Sequence, residues 1–352
     1  MSSPLRHPLL TGPLLLALAI PLAAQQPSRH SLAGQSVALY NLAGNVSLEA
    51  GSGSAVTAEV TPRGADAARL RVETGPIRDR QTLRVIYPGN EIVYAPLGRR
   101  SRTEIQVRDD GTFYGNGGRG RRVRINGDGS GLDAAADLQV RIPAGKSVEL
   151  YLAVGAVSVT NVNGNLMLDV GSAEITSRGT RGSLSLDTGS GAVNVSDADG
   201  DFILDSGSGD VTLSGIRGDR VELDTGSGSI TASDVRTSRL LLDSGSGSVT
   251  LDGITTPVLE LDTGSGDIEV TLASDVETLR LDSGSGDVTI RAPATLGARI
   301  EAESGSGTVT GTLIQGVVRR DPDDDTWTST LGDGRGLISI DTGSGDVRLD
   351  RR

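Results

Sequence analysis

Through the C-terminal two thirds of the chain, aliphatic residues alternate with polar ones in short bursts. Leu184 and Leu186, Val221 and Leu223, Leu259 and Leu261, and Leu279 and Leu281 each enclose one spacer. A second burst follows at Val211 and Leu213, Val249 and Leu251, Ile268 and Val270, and Val288 and Ile290. Spacers such as Glu222, Glu260, Arg280 and Thr250 are polar. Period-two alternation puts every second side chain on the same face of an extended strand, so each burst predicts a short strand with one dry and one wet face. A lone aliphatic (Ile216, Val235, Ile254) follows three residues later and is expected to plug another inward corner.

Between the bursts lies the tag Asp-Ser/Thr-Gly-Ser-Gly. The acid before each tag falls at Asp169, Asp187, Asp205, Asp224, Asp243, Asp262, Asp282, Glu303 and Asp341, in steps of 18, 18, 19, 19, 19, 20, 21 and 38. One such unit is too small to bury its own apolar face, whereas stacked units bury a continuous aliphatic column. The expected fold is all-β: a single-chain, β-helix-like β-solenoid of roughly 19-residue coils, about 50 Å long at ~4.8 Å per coil for ten coils. Glycines at positive φ would turn the chain at the same place in every coil. The Asp and Ser/Thr of the tag are expected to accept hydrogen bonds from turn amides. Stacked carboxylates repel, so amides, solvent or a cation must offset them.

The N-terminal part fits the same system. "NLAGNVSLEAGS" (41–52) matches "NVNGNLMLDVGS" (161–172), which places Glu49 where Asp169 stands and starts the coil pattern near Val37. Residues 25–145 then form a less regular β region holding the first coil or coils and an Arg/Gly-rich loop or hairpin, and residues 146–352 form the regular solenoid. The stretch 312–336 breaks the period and carries the only tryptophan, Trp327. It is expected to cap the end of the stack, with Asp350, Arg351 and Arg352 guarding the last coil, because an open strand edge invites aggregation.

Glycine is abundant and aromatics scarce, a mixture also found in disordered linkers, but disorder would not hold aliphatics at fixed alternate positions. The start reads as a secretory signal peptide: Arg6 and His7, an apolar run to Leu22, then Ala23-Ala24-Gln25, with cleavage expected after Ala24. The run is too short for a spanning helix, and the mature chain shows no other candidate. The chain has no cysteine, which excludes disulfides, thiolate metal sites and anchoring through a lipidated cysteine. The net charge of −12 disfavours nucleic acid, whose phosphates need a positive field. Lys146 is the only lysine, a bias of GC-rich bacterial coding.

The opening "VALYNLAGNVSLEA", the linking "VRIPAGKSVELYLAVGAVSVTNVNG", the repeated "DSGSGDVTL" and the closing "GDGRGLISIDTGSGDVRL" resemble the bacterial "putative adhesin" β-strand-repeat domains, a family of unknown function. The resemblance covers roughly residues 35–352. It implies the β-repeat fold and an adhesive role, and no catalytic residues.

Candidate chemistry is sparse. His30, the one histidine of the mature chain, reads as an incidental tail residue, so a serine–histidine triad or a histidine zinc site has no support. Stacked acids would lie at glycosidase-like separations, but near-identical coils do not make an acid and a base different, and no aromatic platform accompanies them. Calcium is the one cofactor considered: Asp321, Asp323 and Asp325 are spaced like the start of an EF-hand, without its glycine and twelfth-position glutamate. The tags match nonapeptide calcium rolls only in part. "GNGGRG" (115–120) fits G-x-G-x-x-G, yet no helix signal follows it. Arg99, Arg100, Arg102, Arg119, Arg121, Arg122 and Arg124 form either a patch for an anionic partner or a solvated strand face. The expected function is that of an exported, non-enzymatic solenoid in the periplasm, at the cell surface or outside it. It would contact a surface, polysaccharide or envelope protein through flat polar faces. A periplasmic scaffold is the runner-up, and a polysaccharide-acting enzyme a distant third.

Overall fold

The computed structural model describes residues 26–114, 120–314, 319–320 and 326–352. Among these there is no α-helix, and the strands run through a stack of parallel, in-register coils. One wall stacks Leu184–Ser190, Phe202–Ser208, Arg217–Ser227, Arg236–Ser244, Val258–Thr263 and Thr278–Ser283. A second wall stacks Val193–Ser196, Val211–Ser214, Ile230–Ser233, Val249–Ile254, Ile268–Leu272 and Val288–Ala292. A third side is held by single bridges, Asn163 to Arg181, Arg181 to Asp199 and Asp199 to Arg217.

Every aliphatic of the alternating bursts points inward and is buried, and the expected corner plugs Ile216, Val235 and Ile254 are fully so. Phe202 is likewise inside. Identical coils stack in register because a one-residue slip would turn the whole aliphatic set outward.

The tag glycines lock that register. A Cβ on Gly245 would meet the Gly226 carbonyl oxygen at 2.6 Å, and one on Gly247 the Gly228 oxygen at 2.2 Å. Only the second of the pair has left-handed backbone, with φ +137° at Gly247. Close passage of the neighbouring coil therefore requires glycine at both places, and turn geometry at one.

The two ends of the stack do not follow the order of the chain. Gly336–Thr342 lies between Thr278–Ser283 and Ala298–Ser304, parallel to both, and Val347–Arg351 lies between Val288–Ala292 and Val309–Thr310. The coil last in sequence is thus last but one in space. The expected cap is present but covers a different coil. Thr326–Leu331 pairs antiparallel with Ala298–Ser304, setting Trp327 beside Ala302. Asp350 does not guard an edge; its carboxylate accepts from the Thr312 amide at 3.1 Å.

The other end is built alike. Ser36–Gly51 lies between Lys146–Thr160 on one side and an outer coil made of Arg80–Ile86 and Ala135–Pro143 on the other, all parallel. Antiparallel strands Arg71–Ile77 and Val56–Arg63 cover that outer coil, and Ser28–Leu32 covers Val56–Arg63. His30 therefore sits in an ordered strand opposite Ala58 rather than in a loose tail. From Arg80–Ile86 to Ala298–Ser304 the first wall is twelve strands deep, about 53 Å at the usual strand spacing. A four-stranded satellite sheet, Glu91–Val93, Arg102–Val107, Arg121–Asn126 and Leu132–Asp133, packs its buried Ile92, Ile105, Val123 and Ile125 onto the same core.

Candidate functional site: an unpaired acid ladder

In each Leu-x-Leu-Asp-Ser/Thr burst the leucines and the hydroxyl residue face inward, so the acid must face out. Strand pairing aligns Asp169, Asp187, Asp205, Asp224, Asp243, Asp262, Asp282, Asp341 and Glu303 as direct neighbours on nine successive strands. Among the described residues none of these nine side chains makes a hydrogen bond or ion pair. The expectation that turn amides would bind these acids fails, while its counterpart for the tag hydroxyl holds at two turns, where the Gly307 amide donates to Ser304 at 2.8 Å and the Gly345 amide to Thr342 at 3.1 Å.

Several acids elsewhere on the coils are engaged, while others among the described residues, such as Glu174, Asp197, Asp234 and Asp252, lack a side-chain partner as the ladder does. Glu260 pairs with Arg239 at 3.1 Å and Glu301 with Arg299 at 2.6 Å, and Glu222 pairs with Arg220. The second Asp column binds the backbone of the next coil: Asp210 accepts from the Ser229 amide at 3.0 Å, Asp267 from Asp287 at 3.0 Å, and Asp346 from Thr308 at 2.8 Å. That column is a row of staples, and the bond to Thr308 holds the Asp346 carboxyl below the usual range.

The ladder shows the opposite electrostatics. Burial and then the facing Asp205 raise Asp187; burial and the neighbours Asp205 and Asp243 raise Asp224; burial, Asp262 and Asp341 raise Asp282. Asp169 is set apart, pushed up to about 7 by burial and by Asp187. Its cover is Tyr114, whose hydroxyl lies over Gly171, 2.5 Å from where a Cβ would stand.

Past Asp169 the ladder position passes to Tyr151, then Tyr40, then Arg84. The two tyrosine rings stack at 4.5 Å, 4° from parallel, with Phe113 edge-on to Tyr40 at 5.7 Å. Tyr151 donates to Glu149 at 2.7 Å, and Glu149 pairs with Arg80. This placement corrects the sequence alignment: Glu49 stands opposite Thr160 on the second wall, not in line with Asp169. The long strands of these coils carry "LY" where later coils carry "LD", and the Asn/Gly similarity obscured the true register.

Beside the acids runs a groove of about 730 Å³, from Ile203 and Asp205 to Asp282 and Asp341, with Glu222, Leu241, Glu260 and Arg280 on its floor. Ile203 is the single exposed large hydrophobic among the described residues, 41% accessible. Asp169 lies outside this groove. Its distinct carboxyl is a product of the Tyr114 cover, not of an open cleft.

The arginine patch is largely self-neutralised. Arg122 reaches Glu104 at 3.5 Å, and Arg124 reaches Glu91 at 2.8 Å and Glu104 at 3.2 Å. Arg121 donates to the Gly89 carbonyl and to that of Tyr87 at 2.6 Å. Arg99 and Arg100 are exposed at the neighbouring turn, and Arg102 is exposed at the start of Arg102–Val107. Arg119, most of "GNGGRG", Asp321, Asp323, Asp325 and residues 1–25 lie outside the described residues. No group of three or more metal-ligating side chains comes together among the described residues, and no helix there is long and apolar enough to cross a membrane.

The repeat and its register decide the kinship, and the Toastrack DUF4097 profile matches residues 136–350. The chain belongs to the Toastrack DUF4097 family. The match begins within Ala135–Pro143, so it takes in that strand of the outer coil and the regular stack, but not Arg80–Ile86 or Ser36–Gly51. A solved structure described as a "putative cell adhesion protein", from Clostridium sporogenes, is 10% identical over 93% of this Toastrack chain and 100% of that one. Its TM-score of 0.19 is too low for the likeness to bear on fold or role. No curated protein matches the chain.

Proposed function

We propose that this protein is an exported, non-enzymatic interaction solenoid, and that the acid-ladder wall is the face on which a positively charged partner sits. The observation that carries this reading is a contrast on one surface. Neighbouring glutamates are paired with arginines and the second Asp column is stapled to amides, while nine aligned acids stand unpaired, six of them (Asp205, Asp224, Asp243, Asp262, Asp282 and Asp341) lining a long groove. Like charges held in a row oppose folding, and a sequence rich in arginine could have paired them.

A straight, rigid row of carboxylates at strand spacing matches an extended basic segment of another envelope protein, or a cationic surface, better than a compact substrate. No single pair of groove acids is set apart as acid and base, which general acid–base hydrolysis requires.

The test is a triple variant, Asp224→Asn, Asp243→Asn and Asp262→Asn, measured for retention on a polylysine-coated surface at several salt concentrations. Retention by the parent that falls with salt, and is lost in the variant, supports the reading. Equal retention of both would overturn it. Protease shaving of intact cells then separates a surface role from a periplasmic one.

A further inference from the structure

The final coil is enclosed on both sides by coils that precede it in the chain. On one side the Leu337 amide donates to the Glu277 carbonyl at 2.9 Å, and the Val288 amide to Asp346 at 2.9 Å. On the other, the Gly305 amide donates to Thr342 at 3.1 Å and the Val347 amide to Thr308 at 2.8 Å. Its inward side chains Ile338, Ile340, Val347 and Leu349 are all buried.

Ala298–Ser304 has no pairing with Thr278–Ser283; its strand partners are Gly336–Thr342 and the antiparallel cap. The seat of the final coil is therefore a slot between two strand rows. It is defined by backbone edges, by glycine close approaches and by apolar positions that every coil shares. A Cβ on Gly343 would meet the Gly284 oxygen at 2.5 Å, and one on Gly305 the Gly343 oxygen at 2.6 Å, the same steric signature as mid-stack.

We propose that this slot is an assembly site for a second copy of the chain, filled reciprocally by the partner's residues 336–352. The occupant is specified by what the slot offers: parallel edges on both faces, two aliphatic bursts inward and a glycine tag at the corner. Residues 336–352 supply all of these, and a second copy supplies them identically. Exchange of identical elements conserves every contact in the slot, and two-fold closure follows because each copy both donates and accepts. The 25 residues 311–335 that join the final coil to the stack include the cap strand Thr326–Leu331, and once exchange releases it from Ala298–Ser304 they span about 80 Å when extended. This assembly is independent of the acid-ladder reading, since it uses the stack interior and not the outer wall.

The absence of cysteine makes the test direct. Arg280 and Ser339 are register neighbours across the slot, on the outward face. Differently tagged Arg280→Cys and Ser339→Cys full-length chains are mixed, warmed at high concentration, cooled and oxidised. The double variant Arg280→Cys/Ser339→Cys should close within one chain and report that the final coil is seated as described. Exchange predicts a mixed disulfide between the tagged chains at least several-fold above that of a control pair, Arg280→Cys with Thr212→Cys. A mixed disulfide no more abundant than the control, with the double variant closing internally, overturns the proposal. Failure of the double variant to close overturns the slot itself.

Discussion

The backbone amide of Asp346 donates to the carboxylate of Asp287 at 2.8 Å, joining stack neighbours that lie 59 residues apart in the chain. Within the regular stack the equivalent bond spans 19 or 20 residues, as from Ser229 to Asp210 and from Asp287 to Asp267. The same local chemistry thus closes both an adjacent coil and a distant one. Asp287→Ala should leave global melting nearly unchanged while amide exchange speeds up across Val347–Arg351. Unaltered protection there would show that the staple adds nothing.

The glycine tags give a sharper outcome. Gly245→Ala and Gly247→Ala should each destabilise by roughly 3 kcal/mol or more, because backbone of the preceding coil occupies the space a Cβ needs. The Gly247 variant should suffer more, since its φ of +137° is also unfavourable for alanine. Thermal or denaturant melting of either variant close to the parent would contradict the close approach.

Inside the same corner, the hydroxyls of Ser206, Thr225, Ser244 and Thr263 are buried without a partner. A buried unsatisfied hydroxyl costs folding free energy, and valine has nearly the shape of threonine. Thr225→Val and Thr263→Val should therefore stabilise by about 1 kcal/mol each. A comparable loss in denaturant midpoint would sink this expectation.

Stability should also fall with rising pH. Asp169 is raised to about 7, and Asp187, Asp224 and Asp282 are raised as well. Between about 4, the usual aspartate value, and 7 the folded chain holds more of these protons than the unfolded one. Their contribution is complete below that window and is lost as pH climbs through it. The melting temperature should decline from pH 4.5 to pH 8, and Asp169→Asn should flatten the upper part of that decline. A flat or rising profile in the parent would refute the burial of Asp169 under Tyr114.

The walls were legible in the sequence because period-two alternation and the 19-residue step are direct consequences of stacking identical strands. The corner plugs Ile216, Val235 and Ile254 were legible for the same reason. The order of the coils was not, because each unit carries the same inward pattern and nothing in Ile338 or Ile340 says which neighbour it will meet. The register of the first coils was misread at Glu49, where shared asparagines and glycines outweighed the "LY" and "LD" equivalence. That the two Asp columns differ, one stapled and one free, depends on which way a side chain leaves the strand at a turn, and the tag alone does not encode it.

The 336–352 coil is clasped between parallel neighbours on both faces, so the C-terminal strand is not an edge that can peel. A mechanical load applied through Val347–Arg351 would meet two hydrogen-bonded ladders in shear at once, where an outermost coil would yield one. The C-terminal end of the chain is thus anchored more firmly than the outermost coil beside it.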